Sequence, residues 1–328
     1  MHLSVADAHG LIVRIMQAFD HTAEEAGLVA DHLIDCELRG LAYGGLPRLL
    51  SVAEHLQRTG NRRRPISTLK ETPVSARLDG GDYIGYIVAH RAMRIAIDKA
   101  AASGIAVVGA NNTWYTGMLS YFAEMAAAQD MVSMIASNCT PWVAPWGGSE
   151  GRFGTNPMCF GFPTHGDPVI WDIGTSTTTH AEVVLAGRRG DSLPEGIAYD
   201  PEGRPTRDPA AALAGAFAAW GGHRGSGLGL VVQMLGMLAG SPAMPGELED
   251  FGILIVTMKP DLLVSLEEFK DSISDYAESV RRTRPVAGGD PVRMPFDRSV
   301  AERQRRREAD VIVVDDAVYT RLLALAKQ

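Results

Sequence analysis

Cysteine, positive charge and long apolar runs are all scarce in this chain, and each shortage removes a class of function. Cys36, Cys139 and Cys159 are odd in number and show neither a CxxC pair nor Cys/His ligand spacing. That excludes a disulfide framework and a structural zinc site, so reduced thiols and no bound metal are expected. A formal net charge of -8 at pH 7 speaks against nucleic acid as a partner, because proteins that bind a phosphate backbone carry a basic face. The one basic run, Arg62-Arg63-Arg64, sits between Asn61 and Pro65 and reads as a solvated loop. No apolar stretch reaches the ~18 residues of a spanning helix, and Met1-His2-Leu3-Ser4 lacks the basic and apolar segments of a leader. No membrane partner is therefore expected, and the expected compartment is the cytoplasm. Also missing is a GxGxxG run between a strand and a helix, the signature of the doubly wound dinucleotide fold.

What remains is the composition of an ordinary globular enzyme: 328 residues, 46% hydrophobic and 21% charged, enough for two or three interlocked domains. Leu11, Ile12, Ile15 and Phe19 recur at helical spacing, and Thr22 with Glu25 forms a capping-box signature ahead of a second helix. A third helix is expected from about Pro47 to Gln57. A strand over 74–78, a helix over 88–102 and a strand over 105–108 then make a βαβ alternation. Further strands are expected at 131–137, 158–162, 169–171, 253–258 and 311–314. Further helices are expected at 121–129, 175–186, 228–238, 265–281 and 316–327, with a turn-rich excursion over 187–207. The pattern divides into an N-terminal helical segment (1–62), an α/β unit formed by 63–120 with 282–328, and a second α/β unit over 121–281.

Polar, glycine-rich loops interrupt the apolar runs at three places: Pro145-Trp146-Gly147-Gly148 through Gly154-Thr155-Asn156-Pro157, Asp172-Ile173-Gly174-Thr175-Ser176, and Gly221-Gly222-His223-Arg224-Gly225-Ser226-Gly227. Tight-turn glycines, hydroxyls and one carboxylate between apolar runs suit a loop built around a polar ligand. Taken in this order, the loops resemble the type-2 malate/L-lactate dehydrogenase superfamily over nearly the whole chain. The resemblance implies a nonclassical α/β fold with mixed sheets, not doubly wound, that binds NADPH or NADH. It also implies a homodimer, with which the apolar 228–238 helix is compatible. Cofactor contacts are implied at Thr155, Asn156, Asp172, Gly174, Thr175, Ser176, His223, Arg224 and Gly225. Thr175 and Ser176 are expected at a helix start, where free N–H groups favour a pyrophosphate. Arg224 replaces the family's usual lysine and keeps the charge.

The departures fall at the reacting centre. The family's Ser-His-Gly reads Tyr43-Gly44-Gly45 here, and its Asn-Ser-x-His pattern falls on 111–117 with Tyr115 or Thr113 nearest the histidine. Arg48 stands where a substrate-carboxylate arginine is implied, and His180 with Glu182 resembles the Thr-Ser-x-x-x-His-x-Asp pattern of the superfamily's cyclic imino-acid reductases. In the tail, Phe296 replaces the glycine of a family Pro-Gly-Glu near the cofactor, which argues against contact there. The candidate reacting groups are Arg48, Tyr43, Tyr115, His180 and Glu182. Hydride addition to a ketone develops an alkoxide and calls for a positioned acid, whereas a protonated imine gives a neutral amine directly. The expectation is therefore an NAD(P)H-dependent reductase of a small carboxylate with an adjacent C=N, a cyclic imine or ketimine. The alternatives are a 2-oxo acid/2-hydroxy acid dehydrogenase with a tyrosine as acid, or a non-catalytic relative that only binds cofactor or ligand.

Overall fold

The computed structural model describes residues 1–327. A two-residue strand, His2–Leu3 (β1), leads into Val5–Ala18 (α1) and Ala23–Leu38 (α2). The expected capping box is formed, with Glu25 N donating to Thr22 Oγ1 and Thr22 N to Glu25 Oε2. One 3-10 turn over Ala42–Gly44 precedes Leu46–Thr59 (α3). Pro47 falls in the first turn of α3, where an absent N–H breaks no helical bond.

Ser67–Thr72 (β2) and Ser75–Ile84 (β3) form an antiparallel hairpin, and Gly85–Ser103 (α4) carries the chain over to Ile105–Trp114 (β4), parallel to β3. Leu119–Ala127 (α5) then leads to three antiparallel neighbours, Val132–Ser137 (β5), Met158–Phe162 (β6) and Val169–Ile173 (β7). An excursion follows, holding His180–Arg189 (α6), Ala198–Tyr199 (β8), Pro209–Ala214 (α7) and Ala216–Phe217 (β9). Next, His223–Ala239 (α8) returns the chain to Phe251–Met258 (β10). The seven-stranded sheet has the order β2-β3-β4-β10-β5-β6-β7. The near-continuous apolar run of β10 follows from its central place in the sheet, packed by both α4 and α8. A mixed sheet with one parallel pair is the α/β architecture expected, and it is not doubly wound.

Leu266–Arg281 (α9), Asp297–Ala309 (α10), Ile312–Val313 (β11) and Asp316–Leu325 (α11) complete the chain. β11 pairs antiparallel with β1, and the Met1 amine donates to Val314 O, so the two ends close on each other. Three apolar clusters form: one among the N- and C-terminal helices, one between the sheet and α4 and α5, and a small one under the excursion around Val143, Phe153, Val183 and Phe217. The sheet runs unbroken across the 120/121 division drawn from the sequence, and α10 and α11 pack on α1, α2 and α3.

One expected helix is shorter than its pattern. The element predicted over 175–186 begins at His180, capped by Thr179, because the residues before it are engaged elsewhere. Thr177 N donates to Ala218 O, Trp220 N donates to Thr175 O, and Ser176 bridges Ala219. β-Branched threonines suit this extended pairing better than a helix.

Candidate active site

A cavity of about 590 Å³ opens between α2, the 42–44 turn, α3, the loops after β4 and β5, the end of β7, the start of α6 and the 293–299 tail. Its geometry begins at Gly45. A Cβ there would lie 2.2 Å from Glu37 Oε1, so only glycine lets the chain pass the Glu37 carboxylate. That carboxylate accepts from Leu46 N at 2.7 Å, which holds the first turn of α3 and, with it, Arg48.

Arg48 points its guanidinium over the ring of Tyr115, 4.2 Å from the centroid. Its Nη1 is buried and has no hydrogen-bond partner among the described residues. His180, the first residue of α6, stacks on Trp142 with ring centroids 4.1 Å apart and planes 17° from parallel. Burial, Arg48 and Arg188 together lower its pKa to about 3, so the imidazole is neutral across the physiological range. Tyr43 and Tyr115 both line the cavity, and burial raises the pKa of each phenol.

The structure thus brings Arg48, Tyr43, Tyr115 and His180 together. Glu182 is turned away and does not line the cavity. Its carboxylate completes a second capping box, accepting from Thr179 N at 2.8 Å and Thr178 Oγ1 at 3.3 Å. Satisfying the free N–H groups at the start of α6 is what occupies it.

Of the implied cofactor residues, Thr155, Asp172 and Gly174 line the cavity. Asn156 is fully buried, in a left-handed conformation at φ 38°, and clamps α8 through Nδ2 to Gly229 O (2.8 Å) and Gln233 Oε1 (2.9 Å). Thr175 is 1% exposed and donates to the carbonyls of Thr155 and Asn156. Ser176 Oγ donates to Thr178 O. Thr175 and Ser176 therefore latch loops together and do not open a helix. His223, Arg224 and Gly225 sit outside the cavity on the first turn of α8. Gly225 is packed so closely that a Cβ would lie 1.8 Å from Trp220 O. His223 and Arg224 are exposed, and Gly222 offers no side-chain cap. The free N–H groups and the arginine at that end suit a phosphate, which is the fit that a dinucleotide's pyrophosphate requires.

Two parts of the site escaped the sequence reading. His32 on α2 lines the cavity, stacked on Tyr86 at 4.2 Å, with Nε2 accepting from Met118 N at 3.0 Å. Its signal was a histidine one helical turn before Cys36 on α2. The tail also reaches the cavity through Arg293, Phe296 and Arg298. Phe296 takes a left-handed φ of 82°, a conformation suited to glycine, and is held there with the guanidinium of Arg39 4.4 Å from its ring centroid.

A profile of the malate/L-lactate dehydrogenase family matches residues 3–323. The chain belongs to this family of oxidoreductases. Among curated relatives, the L-sulfolactate dehydrogenase of Methanothermobacter thermautotrophicus is 32% identical over 100% of this chain and 97% of its own. Among solved structures, a dehydrogenase from Sinorhizobium meliloti superposes with a TM-score of 0.92 at 30% identity, covering 99% of this chain and 98% of that one. The delta1-piperideine-2-carboxylate reductase from Pseudomonas syringae pvar. tomato superposes with a TM-score of 0.81 at 26% identity, covering 99% of each chain.

Proposed function

We propose that this family member is an NAD(P)H-dependent reductase of a small carboxylate with an adjacent C=N, a cyclic imine or ketimine. The observation that carries the reading is Arg48: a cation with a buried, unpartnered nitrogen in a cavity of small-molecule size. A buried guanidinium N–H without a partner is costly until an acceptor completes it, and a substrate carboxylate supplies that acceptor in a two-pronged geometry. When bound, the dinucleotide supplies the hydride. Of its implied contacts, Thr155, Asp172 and Gly174 lie at the cavity, and His223 and Arg224 lie at the free end of α8. Arg48 fixes the substrate, neutral His180 offers a hydrogen bond, and Trp142, Tyr86 and Phe251 supply apolar walls that exclude water.

The preference for C=N rests on the state of the aromatic groups. His180 carries no spare proton near neutrality, and burial makes both tyrosines hold theirs more tightly. That weakens the tyrosines as the acid that the 2-oxo acid alternative calls for. Similarity to a piperideine-carboxylate reductase points the same way. Similarity to a sulfolactate dehydrogenase favours the second reading, reduction of a 2-oxo acid. The test is dinucleotide binding followed by turnover of cyclic imino acids and 2-oxo acids side by side. Faster imine turnover is expected, faster 2-oxo acid turnover would select the second reading, and absence of dinucleotide binding would leave a non-catalytic relative.

A homodimer accompanies this reading. It is supported by the outer face of α8, where Leu230, Val231, Met234 and Leu238 are exposed and form an apolar stripe of the kind that oligomers cover.

A further inference from the structure

Position 44 is glycine where the family resemblance implies a proton-donating histidine, and the cavity beside it holds one acidic side chain. Asp172 on β7 is the only carboxyl-bearing residue among the described residues that line the cavity. Its Oδ2 accepts from Ser120 N at 2.8 Å, in the first turn of α5, which fixes the direction of the carboxyl. Tyr43, adjacent to Gly44, lines the same cavity. We propose that the Asp172 carboxyl is the proton donor of the reduction and takes the part that the missing histidine leaves open. This rests on the reductase reading above but not on the choice between C=N and C=O.

The other titratable groups in the cavity are poorly placed for that part. His32 and His180 stay neutral down to about pH 3. Tyr43, Tyr115 and the Cys36 thiol are all pushed up by burial. Its cations, Arg48, Arg293 and Arg298, bind anions and do not relay protons. Burial pushes the Asp172 carboxyl up to about 6, against the lowering pull of the Ser120 and Leu119 groups at the helix end. Across the sheet it faces the Cys159 thiol, and across the cavity the Tyr43 phenol. A general acid works best when its pKa lies near the working pH, and a carboxyl raised by an apolar site is one established way to obtain it.

The step balances without a further reagent. The C=X carbon gains the hydride, the π pair moves onto nitrogen or oxygen, and the Asp172 proton ends on that atom. The product carries new C–H and N–H or O–H bonds, and the aspartate is left ionised and reprotonated by solvent. An imine nitrogen takes the proton before hydride arrival, a ketone oxygen during it.

Asp172→Asn is the test, because the amide oxygen still accepts from Ser120 N while the acid is gone. Expected are a fall in kcat of about 100-fold or more at saturating dinucleotide and loss of the inflection near pH 6 in the kcat profile. A carbon-13 carboxyl titration of the unliganded wild-type protein, with Asp172 assigned by its absence in the variant, should show a midpoint near 6. A midpoint near 4, an unaltered kcat profile, or a defect confined to dinucleotide binding would each overturn the proposal and leave the reductase reading intact. A wild-type protein that binds neither dinucleotide would overturn both.

Discussion

At Arg48, one side chain carries the reading of substrate class, and its energetics can be tested directly. The guanidinium stacks on Tyr115 and leaves Nη1 unpaired, so a bound carboxylate adds charge-assisted hydrogen bonds that nothing in the protein already makes. Arg48→Ala is expected to raise KM for the carboxylate substrate by about 100-fold or more, and Arg48→Lys to recover only part of that, because a point charge cannot reproduce the planar fork. Steady-state kinetics checks both. An unchanged KM in the alanine variant would remove Arg48 from the site. At this scale the sequence pointed to Arg48 and His180 by residue type, and both line the cavity. It was misleading where several partners compete: Glu182 had the right chemistry for a site, but the N–H groups of α6 claim it.

Among elements, the link from α2 through the 42–44 turn into α3 depends on a buried carboxylate. Glu37 is 2% exposed, and burial raises its pKa to about 7. The folded state therefore holds the proton more tightly than the unfolded chain, and stability falls as pH rises from about 4.5 to about 7, by roughly 3 kcal/mol as an order of magnitude. Glu37→Gln keeps an acceptor for Leu46 N and should remove that slope. Denaturant midpoints at pH 5 and pH 8 should converge in the variant once other groups are subtracted by comparison with wild type. The capping boxes at Thr22 and Thr179 show what is legible for single elements. The first was readable because it opens an uninterrupted amphipathic run. The start of α6 was not, because residues 175–177 pair with a distant segment around Ala218.

Over the whole molecule, the tail helix α10 is bound to α2 and α5 by partly buried ion pairs. Arg39 is fully buried, with Nε 2.6 Å from Asp35 and with Glu124 as a second partner, and Arg303 pairs with Glu124 at 2.8 Å. Glu124→Gln is expected to lower unfolding free energy by about 2 to 3 kcal/mol in a denaturant titration, less than for a fully buried pair because Glu124 keeps 21% exposure. His21, His32, His55 and His180 are held neutral with pKa values of about 4, 3, 4 and 3. Depressed histidines add stability above pH 6.5 that is lost as pH falls through that value toward 4, so the melting temperature should drop steeply below pH 6. The apolar face of α8 yields a further expectation, that light scattering shows the proposed homodimer for the wild type and a monomer for Met234→Glu. The sequence by itself determined the α/β class, most elements and the family resemblance, because periodicity, caps and local motifs act over a few residues. Only the tertiary structure decided that Arg48 Nη1 has no partner among the described residues, that Thr175 and Asn156 are latches, and that Asp172 and the tail line the same cavity. Those outcomes depend on burial and on partners tens to hundreds of residues away, and no local pattern encodes them.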